Sequence, residues 1–520
     1  MRKRFQRIWA YFGGEQGQRA LVALAFGAYL LAGLLLFDDF GASTDEMYQT
    51  DKARLTLDYV LGKSDELLRY DDRHYGAIFS ILLEGVSAPF DDPGQQLLAR
   101  HWLTFMAFFA AVAGFYRLQR QLGYGRGLAL FGCAALALHP QLFGHSFYNP
   151  KDIPFLAMFV LALLSLHGMR RWLGWRTAAL HGLASGLLVV FRLPGVLMWA
   201  ATAAMLLWLV LAKKASLAKA AGLAVVYGAV ALATMLVFLP ALWHNPVGEL
   251  LVFFSMQPFE WTSQELLAGT FYPLDQVPWY HLPVYIGVTT PLPLLAGALA
   301  GWLGLAWLAA RGKLGWRGMF TLLPLSVSAA VLLGLQPNIY NGWRHVFFLW
   351  PQMVLALVWL ANLLWRRAAA FRSLASRGAI GIIAVALVAW LVVVNAALHP
   401  YEYVYYNLLA GRPNNAPRQN YIMDYWGLTY REAFEWIAAE DSRPVIYVSV
   451  ENVIPAAQNL GMLPAKDRER IRLQEIHTGI PDDYYITNFK ETLALKRPNA
   501  RLLHSISRAN TVLAAIYRPR

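Results

Sequence analysis

The stretch LFDDFGASTDEMY, residues 36–48, sets four carboxylates within nine residues, directly after an apolar run from Ala20 to Phe37: Asp38, Asp39, Asp45 and Glu46. A carboxylate within hydrogen-bond reach of a hydroxyl can take its proton as that oxygen attacks an electrophile. The same acids can serve a helix. In STDEMYQTDKARLTLDYVLG, Ser43 or Thr44 is a cap and Asp45 and Glu46 fill the first turn, where negative charge suits the dipole. A further acid, Asp152 in HPQLFGHSFYNPKDIPF (139–155), precedes another apolar run beside Lys151, with Pro154 in a first-turn position. It reads as an N-cap or as a working carboxylate, and its oxygens would suit a divalent cation such as Mg or Mn. The basic groups in similar settings are Arg344 and His345 in QPNIYNGWRHVFFLWP, Arg73 and His74 in DDRHYGAIF, and Arg192 in VVFRLPGV. Such cations can bind a phosphate or reach lipid headgroups. His139 and His145 carry no fixed metal motif.

The elements that must position these residues are membrane helices. The chain of 520 residues is 57% hydrophobic and 15% charged, with a mean hydropathy of +0.39. Soluble domains carry about 25% charged residues. The sequence predicts eleven spans at about 20–37, 101–116, 127–143, 154–169, 177–191, 195–212, 220–242, 282–309, 318–335, 345–365 and 378–397. The pair 177–191 and 195–212 is interrupted by Arg192 and Pro194. The basic N-terminus is followed by an apolar segment long enough to span, with no small-residue cleavage site, and reads as an uncleaved first helix.

Loop charge orients the chain. With the N-terminus inside, segments 1–19, 117–126, 170–176, 213–219, 311–317 and 366–377 hold 21 of the 45 Lys and Arg and one acid, Glu15. On the other side, 13 acids lie between Asp38 and Asp92. The net charge of +13 is therefore a topogenic signal and not a nucleic-acid footprint. A transmembrane domain, 1–399, would carry outer loops 38–100, 139–153, 243–281 and 336–344, and residues 400–520 would form an outer soluble domain. In that domain RPVIYVSV and DDYYITNF read as strands and YREAFEWIAAE as a helix, an α/β pattern. Segment 243–281 reads as an interfacial helix followed by an aromatic loop. Cys133 is the single cysteine, which excludes an internal disulfide. No GxxxxGK[ST] loop and no HExxH helix is present. A flippase would need charged groups near the midplane of several spans, whereas here they gather in loops and at span ends.

These features together resemble the GT-C superfamily of membrane glycosyltransferases, in the branch of the lipid A aminoarabinose transferase and the protein O-mannosyltransferases. The resemblance rests on Thr44-Asp45-Glu46 after the first span, Asp152 in NPKDIPF, PWYHLP (278–283), RHVFFLWP (344–351), and the segments HPYEYVYYNLLAG and MDYWGLTYREA. Met47 and Tyr48 stand where the family pattern has an arginine, and Arg73-His74-Tyr75-Gly76 replaces its Lys-Pro-Pro stretch. The resemblance implies a polyprenyl-phosphate-linked sugar as donor and a glycolipid, polysaccharide or protein hydroxyl as acceptor, at the outer face of the bacterial inner membrane. It implies Asp45 as general base with inversion at the anomeric carbon, Glu46 as orienting helper, and Asp152 as a further site residue that could hold a divalent metal. Arg73, His74, Arg344 and His345 would bind the donor phosphate.

Overall fold

The computed structural model describes residues 14–255, 264–370, 374–411, 416–475, 482–490 and 499–519. The basic residues 1–13 lie outside the described part.

The chain begins with α1 (Glu15–Leu36), whose apolar residues leave only Gly17 and Gly33 buried. The first loop then folds into two helices, α2 (Thr44–Val60) and α3 (Ile78–Ser87). A capping box starts α2: the Glu46 carboxylate accepts from the Ser43 N–H at 2.7 Å. Next comes α4 (Pro93–Gln121), with Pro93 at its first position and Asp92 accepting from the N–H groups of Gly94 and Gln95. A pair follows, α5 (Arg126–Ala137) and α6 (Pro140–Tyr148), bent by 67° where Pro140 denies the ladder an N–H. Every residue of α6 is buried. Then come α7 (Asp152–Trp172), α8 (Trp175–Phe191), α9 (Val196–Leu211), α10 (Leu217–Phe238) and the short α11 (Pro246–Phe254).

After the hairpin of β1 (Gln264–Leu267) and β2 (Thr270–Pro273), the chain re-enters the bundle as α12 (His281–Thr289) and α13 (Leu292–Ala310). It continues as α14 (Trp316–Leu335), α15 (Leu349–Ala370) and α16 (Leu374–Leu398). Among the described residues, eight helices are long and apolar enough to cross a membrane, or nine if the bent α5–α6 pair is one span. The eleven expected spans therefore all fall on helices, but not all on simple spans. The 127–143 segment is bent, α8 is only 17 residues, and the 282–309 segment is broken at Thr290-Pro291. Segment 345–365 begins as a short 3-10 turn, Arg344–Val346, before α15.

The C-terminal part carries α17 (Ala416–Asn420), α18 (Thr429–Glu440), α19 (Val453–Gly461) and α20 (Ala465–Arg468) around a five-stranded sheet. Its strands are β3 (Ile446–Val450), β4 (Ile471–Glu475), β5 (Tyr484–Thr487), β6 (Arg501–Arg508) and β7 (Thr511–Arg518), in the order β4-β3-β5-β7-β6. β3 runs parallel to β4 and β5, with Val448 paired to Leu473 on one side and Tyr484 on the other, and β7 is antiparallel to β5 and β6. Being buried on both neighbours' sides, β3 is apolar almost throughout.

The sheet domain is not a loose appendage. One apolar cluster runs from Phe40, Phe105 and Phe147 of the bundle through Tyr403 and Trp426 to Val448 and Ile486 of the sheet. Arg468 pairs with Asp92 at 2.6 Å, joining the α20 helix to the start of α4. The first loop is pinned to the bundle at Gly76, whose N–H donates to the Val190 carbonyl at 2.7 Å. A Cβ at residue 76 would lie 2.5 Å from that carbonyl oxygen, so only glycine allows this approach. Gly76→Ala is expected to destabilise the detergent-solubilised protein by about 1–3 kcal/mol. Lowered apparent Tm, with the first loop more open to protease, checks it.

Candidate active site

Where the loops meet the bundle, breaks in three helical segments bring charged side chains to one place. In the first, α6 ends at Tyr148 and Asn149 turns the chain. The Asn149 side-chain oxygen accepts from the N–H groups of Lys151 (3.2 Å) and Asp152 (2.8 Å). This settles the ambiguity over Asp152: Asn149 does the capping, and the Asp152 carboxylate is left to point inward. In the second, α8 stops at Phe191, Arg192 is extended, and Leu193–Gly195 form one 3-10 turn before α9. In the third, Asn341 and Gly342 both have positive φ (54° and 75°), and the chain turns sharply into Arg344.

Arg344 is the hub. Its Nη1 lies 3.3 Å from Oδ2 of Asp45 and 3.0 Å from Oδ2 of Asp152. Arg192 donates to the other oxygen of Asp152, and Asn149 Nδ2 donates to Oδ2 at 2.9 Å. The guanidinium of Arg344 also lies over the rings of Trp426 (4.6 Å) and Tyr340 (5.2 Å). Arg344 and Asp152 are 4% and 2% exposed, so these charges are held by one another and hardly by solvent. The Nε groups of both Arg344 and Arg192 are buried with no hydrogen-bond partner among the described residues.

Two lysines extend the cluster. Lys52 lies seven residues after Asp45 on α2, two turns along the same face. Lys52 and Lys151 both place their ammonium groups over the Tyr75 ring, at 5.8 and 4.7 Å. Burial, then repulsion from Lys151, lower the Lys52 pKa to about 7. For Asp45, burial pushes the carboxyl up, but Arg344, Lys151, Arg192 and Lys52 together hold it below its ordinary value.

The structure thus brings Asp45, Asp152 and Arg344 together, and places the other expected residues elsewhere. Glu46 is turned to the Ser43 N–H and to His101 Nε2 at 3.2 Å, where it shapes the start of α2. Arg73 and His74 pair with Glu249 of α11, at 3.2 and 2.5 Å, and not with Asp45 or Asp152. Their short loop is drawn to that acid, which segment 243–281 supplies from far along the sequence. His345 sits against Tyr340, ring centroids 4.6 Å apart, and is buried beside Arg344. Asp39 pairs with His399 at 2.9 Å, away from the hub.

Sequence reading missed four supporting residues. Lys52 was findable from its spacing to Asp45, and Asn149 from its place three residues before Asp152. Trp426 and Glu265 left no local signal. Glu265, fully buried on β1, accepts from the N–H groups of Asn341 (2.8 Å) and Gly342 (3.2 Å), and His281 Nε2 lies 3.2 Å from it. It therefore holds the turn that presents Arg344.

The residues do not fit a divalent ion at Asp152. Both its oxygens are already engaged by guanidinium groups, and Arg344 occupies the bridging position between Asp45 and Asp152 that a dication would take. Among the described residues no three His, Cys, Asp or Glu side chains gather as a ligand set.

A bundle of membrane helices with a buried ionic site at its loop-bearing end, covered by a small sheet domain, defines the class: a multi-pass helical membrane protein with a small C-terminal α/β domain. No family model and no curated protein matches this chain. Among solved structures, ArnT from Cupriavidus metallidurans in the apo state aligns over 96% of this chain and 98% of its own, with 13% identity and a TM-score of 0.51. ArnT from the same organism bound to undecaprenyl phosphate aligns over 97% and 98%, with 12% identity and a TM-score of 0.46. The arabinofuranosyltransferase AftD from Mycobacteria aligns over 96% of this chain and 41% of its own, with 14% identity and a TM-score of 0.45. The likeness to apo ArnT shows the fold.

Glu265→Ala would strand the buried Asn341 and Gly342 donors. A loss of about 2–3 kcal/mol is expected, read as a lowered Tm in detergent.

Proposed function

We propose that this protein is an inverting glycosyltransferase that moves a sugar from a polyprenyl-phosphate donor to a hydroxyl of a cell-envelope acceptor. The observation that carries the reading is the buried cluster at the hub: Arg344 and Arg192, each with an unpaired Nε, beside Asp45 and the two lysines. Four basic side chains, Arg344, Arg192, Lys151 and Lys52, face Asp45 and Asp152, with Asp72 also close to Lys52, so basic groups outnumber acids in this largely buried site. A leaving phosphate is the group that such an excess stabilises as its negative charge develops. The fold it shares with apo ArnT and the resemblance of the TDE and NPKD segments support the same chemistry.

In the proposed reaction the acceptor oxygen attacks the anomeric carbon, and the bond from that carbon to the phosphate oxygen breaks. The electron pair leaves on the phosphate, and the acceptor proton passes to Asp45. The cations that depress the Asp45 pKa keep it ionised in the resting site, ready to accept. When phosphate draws Arg344 and the lysines, their hold on Asp45 weakens and its basicity rises at the step that needs it. Asp152 keeps Arg344 and Arg192 aligned, and Glu46 fixes the helix that carries Asp45. Because the donor bond supplies the free energy, no nucleotide is required.

Loop charge supports a reading with this end of the bundle and the C-terminal domain on the outer face, and the family resemblance implies the bacterial inner membrane. The acceptor is a glycolipid or polysaccharide, with a protein hydroxyl as the alternative. Mass spectrometry of envelope glycans and glycoproteins, with and without the protein, identifies which class changes. Loss of no glycosylated product would overturn the enzyme reading.

Asp45→Asn is expected to lower transfer by about 10²–10⁴-fold at normal expression, measured as product formed by purified protein from a polyprenyl-linked sugar extract. Near-wild-type transfer would remove Asp45 as base. Binding carries a second test. Lys52 is charged below about pH 7 and neutral above it, so it should help hold polyprenyl phosphate at pH 6 and contribute little at pH 8. The phosphate's own second ionisation, near pH 6, acts in the opposite sense. The informative quantity is thus the affinity of wild type relative to Lys52→Gln, which should fall toward unity across that interval.

A further inference from the structure

We infer that the C-terminal domain holds the general base in place, with Asn459 as the positioning residue. This deepens the glycosyltransferase reading and rests on Asp45 as its base.

Asn459 lies on α19, in the domain that follows the bundle, and is completely buried. Its side chain grips the backbone ahead of α2 in both directions. The Ala42 N–H donates to Oδ1 at 2.9 Å, and Nδ2 donates to the Ala42 carbonyl at 2.9 Å. Ala42 directly precedes Ser43, the cap of the helix that carries Asp45. The same Nδ2 donates at 3.1 Å to the carbonyl of Gly427, next to Trp426. One amide therefore ties the strand that leads to Asp45 to the turn whose indole lies under Arg344.

Independent contacts support the clamp. Gly41 packs so closely that a Cβ there would lie 2.5 Å from Asn459 Oδ1 and 2.6 Å from the Leu428 carbonyl. The Thr44 hydroxyl donates to the Trp426 carbonyl at 3.3 Å. Gln458, in the amide orientation that satisfies both of its groups, donates to the Ser43 carbonyl at 2.7 Å and accepts from the Met47 N–H at 3.1 Å. The neighbouring positions 458 and 459 thus fix the chain on both sides of the capping residue. Nothing in this interface touches the reacting groups. Its effect is on where the Asp45 carboxylate stands relative to Arg344, and displacement by about 1 Å can cost about 10²-fold in rate.

The test combines a structural and a kinetic readout on the full-length protein. Hydrogen exchange of residues 42–47 should accelerate at least about tenfold in Asn459→Ala, with α7 and α8 unchanged. Unchanged exchange at 42–47 overturns the clamp, whatever the activity. Transfer should fall about tenfold or more in Asn459→Ala, but the same substitution should leave the residual rate of Asp45→Asn unaltered. An equal fractional loss in both backgrounds would show a merely structural role and overturn positioning through Asp45. Asn459→Asp, which sets a buried carboxylate oxygen against the Ala42, Gly427 and Pro455 carbonyls, should lose at least as much as Asn459→Ala, and Gly41→Ala should reproduce the effect from the other side of the contact. If Asp45→Asn itself transfers normally, the base assignment fails, while the exchange measurement still decides the clamp.

Discussion

Arg344 sits between Asp45 and Asp152 with almost no access to water, and the surrounding structure is arranged so that this buried charge is never left alone. A lone guanidinium in such a place would cost many kcal/mol. Two carboxylates on different helices, a second arginine on Asp152, and the faces of Trp426 and Tyr340 share the burden. To deliver them, helices must stop at one level of the bundle. They do so where the sequence withholds helix: at Asn149-Pro150, at Arg192-Leu193-Pro194, and at the positive-φ pair Asn341-Gly342. The irregular backbone at these breaks is buried in protein, and its polar groups are met by side chains such as Asn149 and Glu265.

A guanidinium bridging two carboxylates does what a divalent ion does in other sites, with one difference. Its side chain can swing, and its remaining N–H groups can be shared with a ligand. In the proposed reaction an entering phosphate competes with Asp45 and Asp152 for the same donors. Lys52, its pKa lowered to about 7 by burial and by Lys151, adds a further basic group beside that position.

The C-terminal domain belongs to this arrangement as much as the bundle does. Asp424 illustrates how. Its carboxylate accepts from the N–H groups of Gly427 (2.8 Å), Leu428 (3.0 Å) and Thr429 (3.2 Å), and from the hydroxyls of Tyr403 and Thr429. This builds the turn that carries Trp426 to Arg344 and starts α18. Tyr425, on the same turn, hydrogen-bonds His145 of α6 at 2.8 Å, and His145 in turn meets Asn149 at 2.7 Å. A polar path therefore connects the sheet domain to the cap that frees Asp152. The shared apolar cluster beneath it explains why domain and bundle form one packed body.

Much of this was written in local patterns. Apolar runs, each a property of some 20 consecutive residues, determined which segments are helices of a membrane bundle, and the same local logic marked β3, β5 and α18. Spacing read Asp45 and Asp152 as acids at helix starts, and the resemblance of the TDE and NPKD segments marked them as site residues. Local pattern could not show how those acids are used. Glu46 and Asp152 carry the same sequence signature of an acid at a helix start, yet one caps its helix and the other faces two arginines, because Asn149 caps α7 instead. Arg73 and Arg344 both looked like outer-side cations, and only the position of Glu249 on α11 separated them. Glu265, Trp426 and Asn459 reach the site across 76 to 417 residues of chain. Their roles exist only in three dimensions. The sequence by itself determined the bundle and its acidic loop end, because hydrophobicity and capping act within a few turns. The tertiary structure alone decided which charges meet, because a buried ion pair is a contract between segments that do not know each other until the chain has folded.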